Sequence, residues 1–439
     1  MDKLLVVCHT HRDLKVLRDK EKYLNYRFIF RNDAGLDQPK RFDVFKFLKR
    51  LGKVVDHANI CGALTSEDYI GAAINSIINE EFGLCGPSVD SVFTSQHKYY
   101  SRIAQKRTNK GIVPRFQIIN PNEVEQQEIE LEFPFFVKPV KSFLSINAKR
   151  VNSFEELKKF CRDTKDNTTS FVKPFNDLVR NYTNFEFDCN YLIAEELLTG
   201  NQITIEGFVF NKEVTIIAIT DSIMYPKTIS FKRFDLPSKL SNEIKKRIEK
   251  VAKELILGIG FNNGIFNIEM FYDKNKDELK VIEINPRMVS QFSDLVDKVH
   301  GISTYDLQIL ISLGKKPEFV AGKGNYKIAS SFIMRKFEDK KVSRIPTNTE
   351  LLEIQKNYPD SNVEVFAERG KKLSDEINDM GSYRYAMVNL GANSKKELFD
   401  NYNEIESKLE SKFGFGEPRS FTQKLFKLFE IIKIKSSEL

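Results

Sequence analysis

Four polar residues in the middle of the chain have the types and spacing that metal and phosphate chemistry needs. In "IEMFYDKNKDELKVIEINPR", Ile268 to Arg287, two strand-like apolar runs flank a charged turn. Each run carries one acid, Glu269 or Glu283, and the second continues through Asn285 and Pro286 to Arg287. Side chains two apart on a strand share a face, so Asn267 points with Glu269 and Asn285 with Glu283. An antiparallel register pairing residues whose numbers sum to an even value, such as Glu269 with Glu283, gathers all four on one face. Phe266, Ile268, Met270, Ile282 and Ile284 then make the apolar face.

Two acids facing each other across a ladder destabilise it by roughly 0.2–1 kcal/mol when exposed, and by more when desolvated. A hard divalent cation, Mg²⁺ or Mn²⁺, offsets this, because such ions take carboxylate and amide oxygens and keep positions for phosphate oxygens. Arg287, just past the strand-ending Pro286, can hold an anion beside that ion. The plain alternative is a wet, alternating strand face. An amide set between an acid and a guanidinium, E-x-N-P-R, favours the metal–phosphate reading.

Several elements must position these groups. Residues 1–92 alternate strand-like runs ("LLVVC", "YRFIF", "VVDHANICGAL") with the amphipathic "DYIGAAINSIINEEFG", an open α/β layer. His9-Thr10-His11 follows the first run and reads as a loop, not a metal or dinucleotide site. A basic helix is expected over Ser95–Asn109, ended by Gly111 and Pro114, with Lys98, Arg102 and Lys106 on one solvated face. "FPFFVKPV" places Lys138 inside an apolar strand. Ser153 and Glu156 then open a helix, and "FVKPF", with Lys173, reads as a second run of the Lys138 type. "YLIAEELLTGNQITIEGFVFNKEVTIIAITD" predicts three strands, the last two turning at Asn211-Lys212. Asp221 to Ser238 shows no periodicity and reads as a functional loop. Ser241 starts a helix with Ile244, Ile248, Val251 and Leu255 on one face, ended by Gly258.

These motifs, taken in order, resemble the ATP-grasp superfamily over roughly Gly86 to Leu313. They are "GPS" (Gly86–Ser88), the helix with Lys98, "GIVP", the "FFVKP" strand, the hinge "AEELLTG", "ITIEG", "FNIEMF" and "VIEINPRM". The resemblance implies an α/β (α+β) ATP-grasp fold with an N-terminal open α/β domain (1–92) and an ATP-grasp domain (93–321, lid about 133–194). A C-terminal α/β domain (322–439) packs on the core and ends in a basic amphipathic helix. It assigns Lys98 and Lys138 to ATP phosphates, and Glu195, Glu196 and Leu198 to adenine. Gln202 stands where relatives carry a ribose-binding acid. Glu269, Glu283 and Asn285 match the metal ligands, and Arg287 the residue that holds the transferred phosphate or acyl-phosphate, so Arg287, Lys138 and Asn285 are the catalytic candidates. Many members have a glycine-rich loop after the lysine strand; here it reads "VKSFLSINA", with Lys141, Ser142 and Ser145 as possible donors. Asn267 sits where some relatives have a basic residue, a charge Arg233 could supply.

The implied activity is that of an ATP- and Mg²⁺-dependent ligase joining a small carboxylic or amino acid to an amine through an acyl-phosphate. The readings kept open beside it are an ATP-binding scaffold or regulator without turnover and a biotin-carboxylase-like, bicarbonate-activating enzyme. Segments 221–238 and 288–297 are expected to line the substrate pocket. Composition narrows the classes further: a +7 balance of 68 basic and 61 acidic residues, dispersed along the chain, gives no stripe for nucleic acid. The five cysteines, Cys8, Cys61, Cys85, Cys161 and Cys189, have no CxxC spacing. No run is long enough to span a bilayer. A cytoplasmic protein, a homodimer by default, with membrane-surface contact by the basic terminal helix as a minor alternative, is the expectation.

Overall fold

The first strand, β1 (Asp2–Val7), carries Leu4 to Val7 fully buried between two parallel neighbours, β2 (Tyr26–Arg31) and β3 (Ile60–Leu64), in the order β2-β1-β3. This computed structural model describes residues 1–33, 42–142, 148–375, 378–379 and 381–416, with the backbone alone for 165–171 and 378–379. Helix α1 (His11–Lys20) explains the His-Thr-His run. Thr10 Oγ1 accepts from Asp13 N at 3.1 Å while the Asp13 carboxylate accepts from Thr10 N at 2.8 Å, closing a capping box. Helix α2 (Val44–Ala58) takes up the first half of "VVDHANICGAL"; the strand begins only after Asn59 turns left-handed at φ 52°. Helix α3 (Gly71–Glu81) follows, and the amides of Tyr69, Ile70 and Gly71 at its start donate to the Glu67 carboxylate.

The expected basic helix, residues 95–109, is found over Lys98–Thr108, its first two residues ending a separate helix. α4 (Val89–Gln96) is capped by Ser88, and α5 (Lys98–Thr108) starts after His97, whose backbone is extended and whose ring is buried. Next comes an antiparallel sheet in the order β4-β7-β5-β6, from β4 (Phe116–Ile119), β5 (Phe135–Pro139), β6 (Lys149–Val151) and β7 (Leu192–Glu196). Between β6 and β7 runs α6 (Phe154–Tyr182), capped by Ser153, and here the structure corrects an expectation. "FVKPF" is helical, with Pro174 inside the helix and Lys173 on its exposed side, bonded to Asp177 one turn on.

A longer second sheet carries at one end, in the antiparallel order β12-β11-β8-β9, the strands β8 (Asn201–Phe210), β9 (Glu213–Met224), β11 (Gly264–Asp273) and β12 (Glu278–Asn285). Residues 221–238 are not a loop: β9 runs to Met224 and β10 (Phe231–Leu236) follows, leaving only a short connection. Helix α7 (Asn242–Gly258) presses Ile248, Val251 and Leu255 against Ile203, Ile205, Phe266, Ile268 and Met270. α8 (Ser293–His300) and α9 (Thr304–Ser312) complete the first of two compact units, Met1–Ile223 with Phe234–Ala329. Within it, Leu5, Ile74 and Ile77 share one apolar cluster with Phe175, Leu178 and Ile193, so α6 and the N-terminal layer bury each other.

The second unit, Met224–Arg233 with Ser330 onward, is a further α/β layer. It holds β13 (Ile328–Lys336, from Ser330), β14 (Val342–Arg344), α10 (Asn348–Asn357), β15 (Asn362–Val365), β16 (Asn378–Asp379), β17 (Ser382–Ala392), α11 (Lys395–Glu410) and β18 (Gly414–Phe415). The expected basic terminal helix lies outside the described residues. All five cysteines are unpaired. No helix among the described residues is long and apolar enough to cross a membrane.

Candidate functional site

The hairpin β11–β12 pairs Asn267 with Asn285 and Glu269 with Glu283, the even-sum register that the alternation demands. Strand β8 widens the same face, setting Glu206 opposite Asn267 and Thr204 opposite Glu269. Gln202 Nε2 donates to Glu269 Oε2 at 2.8 Å, and Asn285 Nδ2 to Asn267 Oδ1 at 3.3 Å. The reverse face packs into the core as expected, with one exception. A bulge shifts the register after Glu269, so Met270 pairs with Val281, and it is Val281 that is buried there while Ile282 is the extra residue, half-buried.

Burial pushes the Glu269 carboxyl well above the usual carboxylate range, and the facing Glu283 pushes it further. The nearby Lys98, first residue of α5, offsets part of this repulsion: its Nζ lies 3.5 Å from Glu283 Oε2 and donates to Ser142 O at 3.3 Å. Among the described residues no group of three or more His, Cys, Asp or Glu is arranged to hold a metal. A metal here would rest on two carboxylates and the Asn285 amide oxygen, since the amide nitrogen is spent on Asn267. That all-oxygen, incomplete set, with two mutually repelling acids, suits a hard ion that keeps other positions for phosphate and water.

Beside the acids lies a buried charge chain. Arg102, expected on a solvated face, is 2% exposed and donates through Nε to Glu195 Oε1 at 2.7 Å, through Nη1 to Gln105 Oε1 at 2.7 Å and through Nη2 to Ile282 O at 2.7 Å. The other Glu195 oxygen meets Lys138 Nζ at 2.7 Å. Burial alone would raise the Glu195 carboxyl; Arg102 and Lys138 outweigh it and hold it at about 2. Burial draws Lys138 down, which Glu195 counters. Of the other hinge residues, Glu196 pairs with Arg115 at 3.0 Å and Leu198 sits half-buried just past β7.

Arg287 reaches across to the N-terminal layer, its Nε 3.6 Å from Asp68 Oδ1. That Nε–H is buried without a hydrogen bond, a donor waiting for an anion. Asp68 has burial against it, yet Lys141, Arg287 and Lys98 hold its carboxyl down at about 2. Lys141 is buried, its ammonium over the Phe175 ring. Ser145 lies outside the described residues. Arg233 belongs to the second unit, where it packs over Phe399. Lys106 is exposed and Lys173 is on α6, so neither joins these groups.

Glu206 and Asp68 escaped the sequence reading. Glu206 is 1% exposed; Val289 N donates to its Oε1 at 2.8 Å, and its Oε2 is buried without a hydrogen bond. Burial pushes its carboxyl up to about 7, against the pull of the Val289 N–H and Arg287. Its signal was available: Gln202, Thr204 and Glu206 alternate along "QITIE", the polar half of a strand with period two.

Residues 131–294 match the family model of the ATP-grasp domain. The large chain of carbamoyl phosphate synthase from Buchnera aphidicola is 23% identical over 237 residues, 53% of this chain and 20% of that protein. The chain thus spans about a fifth of the length of that relative. Among solved structures, L-amino acid ligase from Bacillus licheniformis superposes with a TM-score of 0.75 at 17% identity, covering 95% of this chain and 99% of that one. Carboxyaminoimidazole ribonucleotide synthase from Aspergillus clavatus, complexed with ATP, gives 0.66 at 13% identity, covering 94% and 99%. At such identities the structural likeness is one of fold.

Proposed function

From the match of residues 131–294 to the ATP-grasp domain we propose that the chain is an ATP- and Mg²⁺-dependent ligase joining a small carboxylic or amino acid to an amine. The observation that carries the reading is Glu269 facing Glu283 on one polar face with Asn285 and Arg287, beside two lysines of different elements. A scaffold that only held nucleotide needs fewer charges gathered in one place. The likeness to an L-amino acid ligase and to an ATP complex of a ribonucleotide synthase supports it.

In this reading Glu269, Glu283 and Asn285 hold the Mg²⁺, which when bound neutralises phosphate charge. Lys98 and Lys138 add positive charge to the triphosphate, and backbone groups from Glu195 to Leu198 take the adenine, with Gln202 toward the ribose. Arg287, with its unused Nε–H beside Asp68, holds the transferred phosphate or the acyl-phosphate. A carboxylate oxygen attacks the γ-phosphorus, the bond to the β,γ-bridging oxygen breaks, and ADP leaves. The amine then attacks the acyl carbon, phosphate departs, and the amine proton goes to solvent. Positioning and fixed charge supply the catalysis; no nucleophilic side chain is needed. Residues of segment 288–297 shape the substrate pocket, the three-part division at residues 92 and 321 describes the domains, and the compartment is the cytoplasm.

The test is phosphate release from ATP across amino acids and other small acids, with and without amine acceptors and with bicarbonate. Release that requires a carboxylate and an amine is expected, falling by at least about 100-fold in Glu283→Gln with the unfolding temperature retained. Binding of ATP without release under any condition would leave a scaffold, bicarbonate dependence alone would make it a carboxylase, and unfolding of the variant would make the acid structural.

A further inference from the structure

The Lys138 ammonium is already engaged, and what engages it is Glu195, 2.7 Å away. An ammonium held by a carboxylate is neutralised toward any other anion. Glu195, however, is shared: Arg102 Nε takes its second oxygen at 2.7 Å. One carboxylate between two cations leaves a surplus of one positive charge, and the two cations differ in freedom. The Arg102 guanidinium is fixed on three sides, by Glu195, by Gln105 and by the Ile282 carbonyl, and Gln105 is itself held by Ser101 Oγ at 2.9 Å. A planar fork of five donors suits this; an ammonium on a flexible stem does not. Lys138 has one carboxylate partner and a four-carbon stem on strand β5. The surplus charge can therefore move only through Lys138.

We infer that Arg102 is a positioning residue that keeps Lys138 available to a polyphosphate, by holding Glu195 in its place while the lysine turns to the ligand. This rests on the nucleotide reading of the site given above. Without Arg102, Glu195 has Lys138 as its remaining cation, and releasing the lysine would strand a buried carboxylate, which is strongly unfavourable. The lysine then stays where it is, and the phosphates lose it.

Unlike a residue that only packs, Arg102 in this role is no longer needed once Glu195 is neutral. The experiment is a double-mutant cycle read as MgADP affinity, by calorimetric titration of wild type, R102M, E195Q and R102M/E195Q, with thermal unfolding of each. R102M is expected to weaken MgADP binding by at least about tenfold, about 1.4 kcal/mol, whereas in the E195Q background the same change costs less than about threefold. R102M binding like wild type, or an equal loss in both backgrounds, overturns the inference and leaves Arg102 as packing. Should R102M not fold, the E195Q pair decides by itself, because the double variant buries no stranded carboxylate: a loss of tenfold or more there overturns the inference, and near-equality supports it. Wild-type protein that fails to bind MgADP overturns the nucleotide reading, and this inference with it; binding by wild type with no difference among the variants overturns the inference alone.

Discussion

Glu195, buried between a guanidinium and an ammonium, ties the site to acid stability. Its folded pKa of about 2 lies below the ordinary 4.5 of such a carboxyl, so the ionised form favours the fold. That contribution is complete above the ordinary value and is lost as pH falls through the folded one. A shift of this size corresponds to about 3 kcal/mol. The stability advantage of wild type over E195Q, from urea midpoints, should therefore narrow as pH is lowered from about 5 to about 2. At this scale the sequence was legible where period two alone decides, as in the facing of Glu269 and Glu283. It was not legible at Arg102. Its spacing from Lys98 and Lys106 is that of a wet helix face, and its burial depends on partners 93 and 180 residues away.

The elements separate two lysines that share the local sequence V-K-P. Lys138 stands on β5 with its ammonium 2.7 Å from Glu195, whereas Lys173 projects from α6, 62% exposed. Lys138→Ala should weaken nucleotide binding by tenfold or more, about 1.4 kcal/mol, and Lys173→Ala by less than about twofold, since exposed pairs contribute little; titration with MgADP compares them. Five residues around a proline carry too little pattern to tell strand from helix, and Ser153 together with the contacts of α6 on the N-terminal layer decided for helix. The same holds for 221–238, where Thr220 and Ser222 continue the polar face of β9, so the strand lacks the apolar run that would announce it. Gly200, by contrast, is dictated by geometry. Its φ is +113°, and an added Cβ would lie 2.3 Å from the Tyr272 carbonyl oxygen. Gly200→Ala should cost about 1–3 kcal/mol in urea unfolding, because the hinge could not reach β8 beside β11.

For the whole molecule, ligand and fold are linked. Two mutually repelling acids inside a sheet weaken the unliganded protein, and anything that binds the folded form alone adds stability by mass action. MgADP at about a hundredfold its Kd should contribute about 2.7 kcal/mol and raise the unfolding temperature. ADP with chelator should raise it less, and Glu269→Gln should abolish the Mg²⁺-dependent part; differential scanning fluorimetry measures all three. The overall layering was readable from the alternation of strand and helix and from the order of the motifs. Which groups meet was not, because the site is assembled from α5, β5, β7, β8, β11 and β12, and their convergence is a property of packing.

Ile282 shows what such convergence asks of a chain. Pairs on the turn side of the hairpin sum to 551 and pairs on the site side to 552, and this single residue absorbs the difference. Excising it would restore an unbroken ladder with both acids still opposite and every side chain on its original face. The insertion is thus surplus to the hairpin, and its use lies in the carbonyl it turns outward to Arg102. A deletion that leaves folding unharmed would for that reason still loosen the join between the strand that carries Glu283 and the helix that carries Lys98.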